Sequence, residues 1–188
     1  MNFIEKYDIA LSQEQCNYII SLFNDSTSLE PGVTSSGLDP SKKISTSLPL
    51  QFEERGNITS TNHIINQTIH PSLIEGVERY KAKYHLLSET SEWNLTKGYH
   101  VQRFQEGEGY FSTHCEHSSS EPYRMLVWMF YLNNARCGTR FYHQNITMKP
   151  RTGRLVIWPA GWTHMHSGVI PNKGDKYIIT GWFSFLNN

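Results

Sequence analysis

The sequence predicts an α+β protein in which a β-sandwich or double-sheet jelly roll carries helices on one side. Apolar residues in the first half recur with helical spacing, whereas from Glu92 onward short apolar runs alternate with turn residues. Trp, Tyr and Phe concentrate in the second half, as is typical of a β-rich core. We expect a single domain over residues 1–188, with helical support and loops in 1–90 and the jelly-roll core in 91–188.

Two helices are expected in the first half. The first begins at a capping-box pattern formed by Ser12 and Gln15, and the second spans about Pro71 to Tyr84. Between them, residues 24–66 are polar and rich in Ser and Thr, which predicts loops with one or two short strands that could form a flap. The expected buried sides consist of Cys16, Ile19, Ile20 and Phe23 in the first helix and Leu73, Ile74, Val77 and Tyr80 in the second.

A series of short strands separated by turn residues is expected in the second half. Arg124–Leu132 is almost continuously apolar, which indicates a strand that is buried on both faces. The other expected strands are Tyr99–Phe104, Tyr110–Glu116, Thr139–His143, Arg154–Trp158, Thr163–Val169 and Lys176–Phe185.

Composition narrows the classes of function. The chain has 17 basic and 17 acidic residues, so we expect neither nucleic acid nor a membrane surface as a partner held by charge. The three cysteines are odd in number and widely spaced, which argues against a disulfide framework. No secretory-signal pattern opens the chain, and its longest apolar run is too short to span a bilayer. We therefore expect a cytoplasmic protein.

Potential metal ligands occur in two places. His114 and Glu116 alternate along an expected strand, so both side chains would reach one face. About fifty residues later, His164 and His166 also share an expected strand face, and periodicity does not choose between them. Two histidines and one carboxylate would leave half of a coordination sphere open, which suits non-haem Fe(II). The alternatives are a zinc site formed by His114, His164 and His166, or histidines that only satisfy core hydrogen bonds.

A lysine stands ten residues after the second of these histidines. Lys176 could pair with the distal carboxylate of 2-oxoglutarate, although it could also be an ordinary turn lysine. Thr180 lies on the same expected strand face and could add a hydroxyl group, and Trp182 continues that face. An open metal site together with a fixed cation points to a 2-oxoglutarate-dependent oxygenase.

This arrangement resembles the Fe(II)/2-oxoglutarate-dependent oxygenases of the prolyl 4-hydroxylase type, especially small soluble bacterial and viral members. The resemblance covers about residues 99–185 and implies a double-stranded β-helix, the form of jelly roll found in that family. It selects His166 rather than His164 as the second histidine ligand. It also implies Fe(II), 2-oxoglutarate and O2, with ascorbate as an optional further cofactor. The matching residues are Gly107, Tyr110, His114-Cys115-Glu116, His166-Ser167-Gly168, Lys176 and Trp182.

The resemblance assigns roles to further residues. Thr139 matches a threonine that helps to hold 2-oxoglutarate, and Tyr110, Arg124 and Trp182 match residues that line a peptide-substrate pocket. The implied reaction is hydroxylation of an unactivated carbon, foremost in a peptidyl proline or a similar residue, with release of succinate and CO2.

The chain departs from the family pattern at several places, two of which are residues of the site itself. Glu116 replaces the commoner aspartate, and Phe104 replaces a tyrosine that contacts 2-oxoglutarate. These departures leave two alternatives beside the peptide hydroxylase. One is an oxygenase acting on a small molecule or on nucleic acid, although the nucleic-acid demethylases usually have an arginine in place of Lys176. The other is a catalytically degenerate, cupin-like metal-binding protein.

Overall fold

The protein is an α+β jelly roll with two helices packed on its larger sheet, so the predicted class is confirmed. The computed structural model describes residues 1–52 and 60–186. The helices are α1 (Gln13–Asn24) and α2 (Thr61–Lys83), with short 3₁₀ helices at His85–Glu89 and Trp162–His164. The strands are β1 (Glu5–Tyr7), β2 (Glu30–Pro31), β3 (Lys43–Ile44), β4 (Thr46–Gln51), β5 (Trp93–Phe104), β6 (Gly109–Tyr110), β7 (Arg124–Tyr131), β8 (Gly138–Phe141), β9 (Ile146–Met148), β10 (Arg154–Pro159), β11 (His166–Val169) and β12 (Lys176–Phe185).

The strands form one large sheet and two small ones. Seven antiparallel strands make the large sheet in the order β1-β10-β7-β12-β5-β4-β2. The order of the three-stranded sheet is β11-β8-β9, and β3 pairs with β6. One apolar cluster fills the space between the large sheet and the helices, and a second joins that sheet to β8 and β9. The large sheet is therefore covered on both faces.

Strand β7 is buried on both faces because it lies inside the large sheet. Trp128 and Phe130 point toward the helices, whereas Val127 and Met129 point toward the small sheets. The nearly continuous apolar sequence of this strand reflects its double burial. The strand predicted at Arg124–Leu132 is thus confirmed to within one residue.

Helix α1 begins as the sequence predicts. The Ser12 hydroxyl accepts a hydrogen bond from the Gln15 amide, and the Gln15 side chain accepts one from the Ser12 amide, at 3.2 and 2.8 Å. The buried face of the helix consists of Cys16, Ile19 and Phe23.

The second helix differs from the prediction. It begins at Thr61 rather than near Pro71, and Pro71 lies inside it. Proline favours the first turn of a helix, but tertiary packing outweighs that preference here, because Ile65 and Ile69 extend the buried face by two further turns. Ile74 is 38% exposed, so its assignment to the buried side was wrong.

Two predicted strands are also corrected. The segment Tyr110–Glu116 is a strand only as far as Tyr110, and its remainder is a loop with one isolated bridge between His114 and His166. The segment Thr163–Val169 begins with the 3₁₀ helix, and its strand starts at His166. Alternation along one strand therefore does not explain how these side chains converge, because both segments bend at the site.

The polar segment 24–66 contains β2, β3, β4 and the first turn of α2, rather than one or two strands. Residues 53–59 of the expected flap lie outside the described residues. Within the described ranges, no helix is long and apolar enough to cross a membrane.

Gly153 and Gly174 allow a matched test of the contact between the segment before α1 and the turn before β10. Both have φ near +73°, but a Cβ atom on Gly153 would overlap the Leu11 carbonyl group, whereas nothing lies within 4 Å of one on Gly174. We expect Gly174→Ala to lower the free energy of unfolding by about 1 kcal/mol through backbone strain alone. Gly153→Ala should lower it by about 3 kcal/mol or more, because the clash adds to the strain. Equal losses in urea unfolding would contradict the tight contact at Leu11.

Candidate active site

Three side chains converge where the loop after β6 meets the start of β11. The amides of His114 and His166 each donate a hydrogen bond to the other residue's carbonyl oxygen, at 2.9 and 2.8 Å. The Glu116 amide donates to the Ala160 carbonyl at 3.0 Å. One potential ligand atom from each of His114, Glu116 and His166 lies within 4.8 Å of the others. This group could hold a metal ion.

Both histidines are oriented by backbone carbonyl groups. Nδ1 of His114 lies 3.0 Å from the Ser112 carbonyl oxygen, and Nδ1 of His166 lies 2.8 Å from that of His164. A carbonyl oxygen accepts only, so each Nδ1 carries a proton, and each Nε2 faces the Glu116 carboxylate as the nitrogen that a metal ion would bind. The two Nε2 atoms lie 3.6 and 3.5 Å from Oε1 of Glu116. Such outer hydrogen bonds fix the ring orientation that a metal-ligating histidine requires.

The carboxylate of Glu116 divides its two oxygens between the histidines and a second pair of side chains. Oε2 accepts a hydrogen bond from Trp182 Nε1 at 2.9 Å and lies 3.3 Å from a guanidinium nitrogen of Arg124. Burial opposes ionisation, but the neighbouring histidines outweigh it and hold the pKa of Glu116 well below its usual range. The carboxylate is therefore ionised and oriented, which is the state that binds a cation.

His164 lies outside this group. Its Nε2 bonds with the Asn2 carbonyl oxygen at 2.9 Å, and its Nδ1 with the Thr163 hydroxyl at 3.0 Å. Among the described residues, the cluster with metal-ligand geometry contains His166 and not His164. The zinc alternative built on His164 is therefore wrong, and His164 satisfies hydrogen bonds in the protein interior.

Lys176 is the first residue of β12 and is only 3% exposed. Its Nζ lies 4.3 Å from the ring centroid of Phe104, the residue opposite it on β5. A Cβ atom on Gly168 would lie 3.6 Å from this Nζ and 3.2 Å from the Tyr110 amide nitrogen, so the glycine leaves room between them. Burial lowers the pKa of Lys176. An anionic ligand beside the ammonium group would offset that cost.

The triad and Lys176 line one cavity of about 420 Å³, and the other predicted site residues line it too. Tyr110 stacks on His114, with ring centroids 3.6 Å apart, and the Arg124 guanidinium lies 3.7 Å from the Trp182 ring centroid. The cavity-lining residues that the sequence analysis proposed are His114, Glu116, His166, Lys176, Thr139, Thr180, Tyr110, Arg124 and Trp182.

The hydroxyl groups of the two predicted threonines have protein partners. Thr139 Oγ1 lies 2.7 Å from the Tyr131 hydroxyl, and Thr180 Oγ1 donates to the Trp128 carbonyl oxygen at 3.3 Å. Tyr131 was missed by the sequence analysis, because its position in an apolar strand gave no sign that its hydroxyl approaches the cavity wall.

Other polar residues that line the cavity were also missed, among them Lys43, Ser47 and His100. Lys43 is on β3, Ser47 is on β4 and His100 is on β5. Their segments read as a loop, a short strand and a half-buried strand, and nothing in the sequence indicates that they meet the triad.

The residues fit Fe(II) and 2-oxoglutarate. Two imidazole nitrogens and one carboxylate oxygen approach from the protein side, which leaves coordination positions open toward the cavity. The same cavity contains a buried ammonium group that could receive a carboxylate.

Comparison with known proteins agrees with this geometry. The family model of the 2OG-Fe(II) oxygenase superfamily matches residues 99–184. No curated protein sequence matches the chain.

Solved structures with this fold include three prolyl hydroxylases. A 2-oxoglutarate complex of the viral collagen prolyl hydroxylase from Paramecium bursaria Chlorella virus-1 is 20% identical, covers 98% of this chain and 97% of its own, and has a TM-score of 0.69. A Pseudomonas putida prolyl-4-hydroxylase is 14% identical, with 100% and 95% covered and a TM-score of 0.71. A Trichoplax adhaerens prolyl hydroxylase, in complex with a hypoxia inducible factor peptide fragment, is 15% identical, with 98% and 84% covered and a TM-score of 0.71.

The fold, the His114–Glu116–His166 group and the family match over residues 99–184 together support a 2-oxoglutarate-dependent dioxygenase that uses Fe(II) and O2. The predicted resemblance is confirmed, since the family model covers the motif-bearing residues and the fold is that of the prolyl hydroxylases.

The two neighbouring histidines provide a matched test of the metal site. We expect His166→Ala to weaken Fe(II) binding by about 100-fold or more, because outer partners of metal ligands alone account for about 10- to 100-fold. His164→Ala should leave Fe(II) binding unchanged while lowering thermal stability, because it loses only the interior bonds to Asn2 and Thr163. Anaerobic calorimetric titration of both variants measures the difference. Strong Fe(II) binding by His166→Ala with weak binding by His164→Ala would reverse the assignment.

Proposed function

We propose that the protein hydroxylates an unactivated carbon of a peptidyl proline or a similar amino-acid residue, with release of succinate and CO2. The observation that carries this proposal is the placement of the oriented His114–Glu116–His166 group and buried Lys176 on the walls of one cavity. In this assignment the three residues are the metal ligands, and Lys176 binds the co-substrate.

Bound Fe(II) supplies the centre at which 2-oxoglutarate and O2 react, and the protein supplies orientation and a dry cavity. His114 and His166 present Nε2, and Glu116 presents Oε1, while Oε2 stays bonded to Trp182. Because this second oxygen is held, the carboxylate keeps one orientation. The extra methylene of glutamate is accommodated without loss of the contact to the histidines.

Lys176 binds the distal carboxylate of 2-oxoglutarate through a charge-assisted hydrogen bond. Thr139 and Thr180 line the same cavity and are assigned to this ligand, and the Thr180 hydroxyl would exchange its bond to the Trp128 carbonyl oxygen for one to the ligand. Phe104 lacks the hydroxyl group of the tyrosine that contacts 2-oxoglutarate in the family pattern. We assign that role to the hydroxyl groups of Tyr131 and Thr139, which lie 2.7 Å apart so that one can orient the other. Phe104 instead contributes a ring face that supports the ammonium group.

The substrate is assigned to the side of the cavity lined by Tyr110, Arg124 and Trp182. Tyr110 covers His114, and Trp182 bonds to Glu116, so a residue packed against these rings would lie beside the metal ligands. Arg124 contacts Trp182 and is paired with both Glu116 and Glu121, so we assign it to positioning Trp182 as well as to the substrate. The peptide bound by the Trichoplax adhaerens protein supports a peptide as the substrate class.

Residues 1–188 are proposed to act as one catalytic domain. Strands β2 and β4 extend the large sheet next to β5, and Val33, Lys43 and Ser47 from the N-terminal part line the cavity. The N-terminal part would then serve as a wall of the site.

A product assay tests the proposed reaction. With Fe(II), 2-oxoglutarate and O2, we expect a proline-containing peptide to gain one oxygen atom while one succinate forms for each peptide hydroxylated. Mass spectrometry measures the peptide, and the matching peptide with alanine in place of proline is the control. Succinate formation without any oxidised peptide or small molecule would contradict the hydroxylase. Absence of turnover with metal bound would favour the degenerate, cupin-like alternative.

Lys176 and nearby Lys173 provide a matched test of co-substrate binding. We expect Lys176→Ala to raise the KM for 2-oxoglutarate by about 10- to 100-fold, because it removes a buried charge-assisted bond. Lys173 is exposed on the preceding turn, so Lys173→Ala should leave this KM unchanged. Equal effects of the two substitutions would show that Lys176 does not bind the co-substrate.

A further inference from the structure

A second lysine is buried in the same cavity, on the wall formed by the N-terminal segment. Lys43 is 6% exposed, and its Nζ donates to the Val33 carbonyl oxygen at 3.2 Å. This Nζ lies 5.4 Å from the ring centroid of Tyr110, the residue paired with Lys43 between β3 and β6. Within residues 1–52 and 60–186, no carboxylate oxygen lies within the 4.0 Å ion-pair distance of Nζ.

Unpartnered polar atoms lie on the adjoining wall. Ser47 is 3% exposed, and its hydroxyl has no hydrogen-bond partner among the described residues. Nδ1 of His100 is likewise buried without a partner. The register of β4 and β5 pairs Ser47 with Gln102 and Pro49 with His100, so Ser47 and His100 share the cavity face of adjacent strands. Buried polar atoms are normally hydrogen-bonded, so both of these atoms are available to a ligand in the cavity.

Glu30, Glu116 and Glu121 line the same cavity, but within the described residues none of them forms an ion pair with Lys43. Arg124 is paired with Glu116 and Glu121, and Lys176 is assigned to 2-oxoglutarate. Burial lowers the pKa of Lys43 to about 8, and the charge of Lys176 adds to this effect while that of Glu116 opposes it. A buried ammonium group is costly unless it is paired, so its position facing the cavity indicates an anionic ligand.

We propose that Lys43, Ser47 and His100 form a second anion subsite, which binds a carboxylate group of the substrate. The inference rests on the proposed function, because it places this carboxylate on the amino-acid residue that is hydroxylated or on its neighbour. Lys43 supplies the charge, and Ser47 and His100 supply hydrogen bonds. The carboxylate is either the free α-carboxylate of an amino acid or chain end, or an acidic side chain next to the reacting residue.

Small probes separate the carboxylate from the proline ring. N-acetyl-L-proline, N-acetyl-L-prolinamide, N-acetyl-L-alanine and N-acetyl-L-alaninamide are titrated anaerobically into Fe(II)-loaded protein with saturating 2-oxoglutarate, and binding is measured by calorimetry. Saturating 2-oxoglutarate keeps the probes out of the co-substrate site. A second pair, Ac-Ala-Pro-Glu-NH2 and Ac-Ala-Pro-Gln-NH2, distinguishes an acidic side chain from a free α-carboxylate.

The matched variants are Lys43→Met and Lys42→Met. Methionine keeps the length and apolar stem of Lys43 while removing a buried charge, so the fold should persist. Lys42 is the adjacent, exposed lysine, which pairs with Asp39 at 2.9 Å. The visible charge-transfer band of the anaerobic Fe(II)–2-oxoglutarate complex reports in each variant whether the rest of the site is intact.

We expect the wild type and Lys42→Met to bind the acid of at least one probe pair about 10- to 100-fold more tightly than its amide. Lys43→Met should lose this preference while keeping the band at an unchanged 2-oxoglutarate concentration. Equal binding of acid and amide by the wild type, including no binding of either, would overturn the subsite. A large rise in the 2-oxoglutarate requirement of Lys43→Met would overturn it as well, by placing Lys43 in the co-substrate site.

The probes test recognition of the proline ring and recognition of the carboxylate separately. A preference for acids that is equally strong for the proline and alanine probes would support the subsite while contradicting the proposed preference for proline. A preference for proline without a preference for acids would contradict the subsite while supporting the proposed preference for proline.

Discussion

The site depends on the reciprocal backbone hydrogen bonds between His114 and His166. These two bonds join a loop to the first residue of a short strand, 52 positions apart in the chain. The Nδ1 contacts to the Ser112 and His164 carbonyl groups then orient both rings, so the same small stretch of backbone places the two histidines and turns each Nε2 toward Glu116. Glu116 follows because its amide is bonded to Ala160.

The large sheet provides the rigid support for this arrangement. Trp182 and Lys176 lie on β12, and Arg124 begins β7 next to it, so three side chains of the site come from neighbouring strands covered on both faces. Rigid, close-packed strands hold such groups more exactly than loops do. The N-terminal strands form a polar wall that contains Lys43 and Ser47. Lys43 donates to the Val33 carbonyl oxygen, and the Ser47 hydroxyl has no hydrogen-bond partner among the described residues. We therefore assign the wall formed by β7 and β12 to the reaction and the N-terminal wall to recognition of the substrate.

Much of the fold and the main site residues could be predicted because the signals were local or had a fixed spacing. Strand β12 matches its predicted bounds, since its alternation and the lysine spacing are local in the chain. The start of α2 could not be predicted, because Pro71 is a strong local signal that long-range packing of Ile65 and Ile69 outweighs. His164 and His166 could be separated only by resemblance, since the 3₁₀ helix that turns His164 inward has no clear sequence signal. Lys43 was missed because the strand that buries it lies more than sixty residues away.

The most direct test of the account is X-ray diffraction from crystals grown without O2 in the presence of Mn(II) and 2-oxoglutarate. Anomalous scattering at the manganese edge locates the metal independently of any assumption about its ligands. The account predicts one strong peak at bonding distance from Nε2 of His114, Oε1 of Glu116 and Nε2 of His166, with the distal carboxylate of 2-oxoglutarate against Lys176. A peak bonded to His164, or a distal carboxylate bound at Lys43 instead, would contradict it.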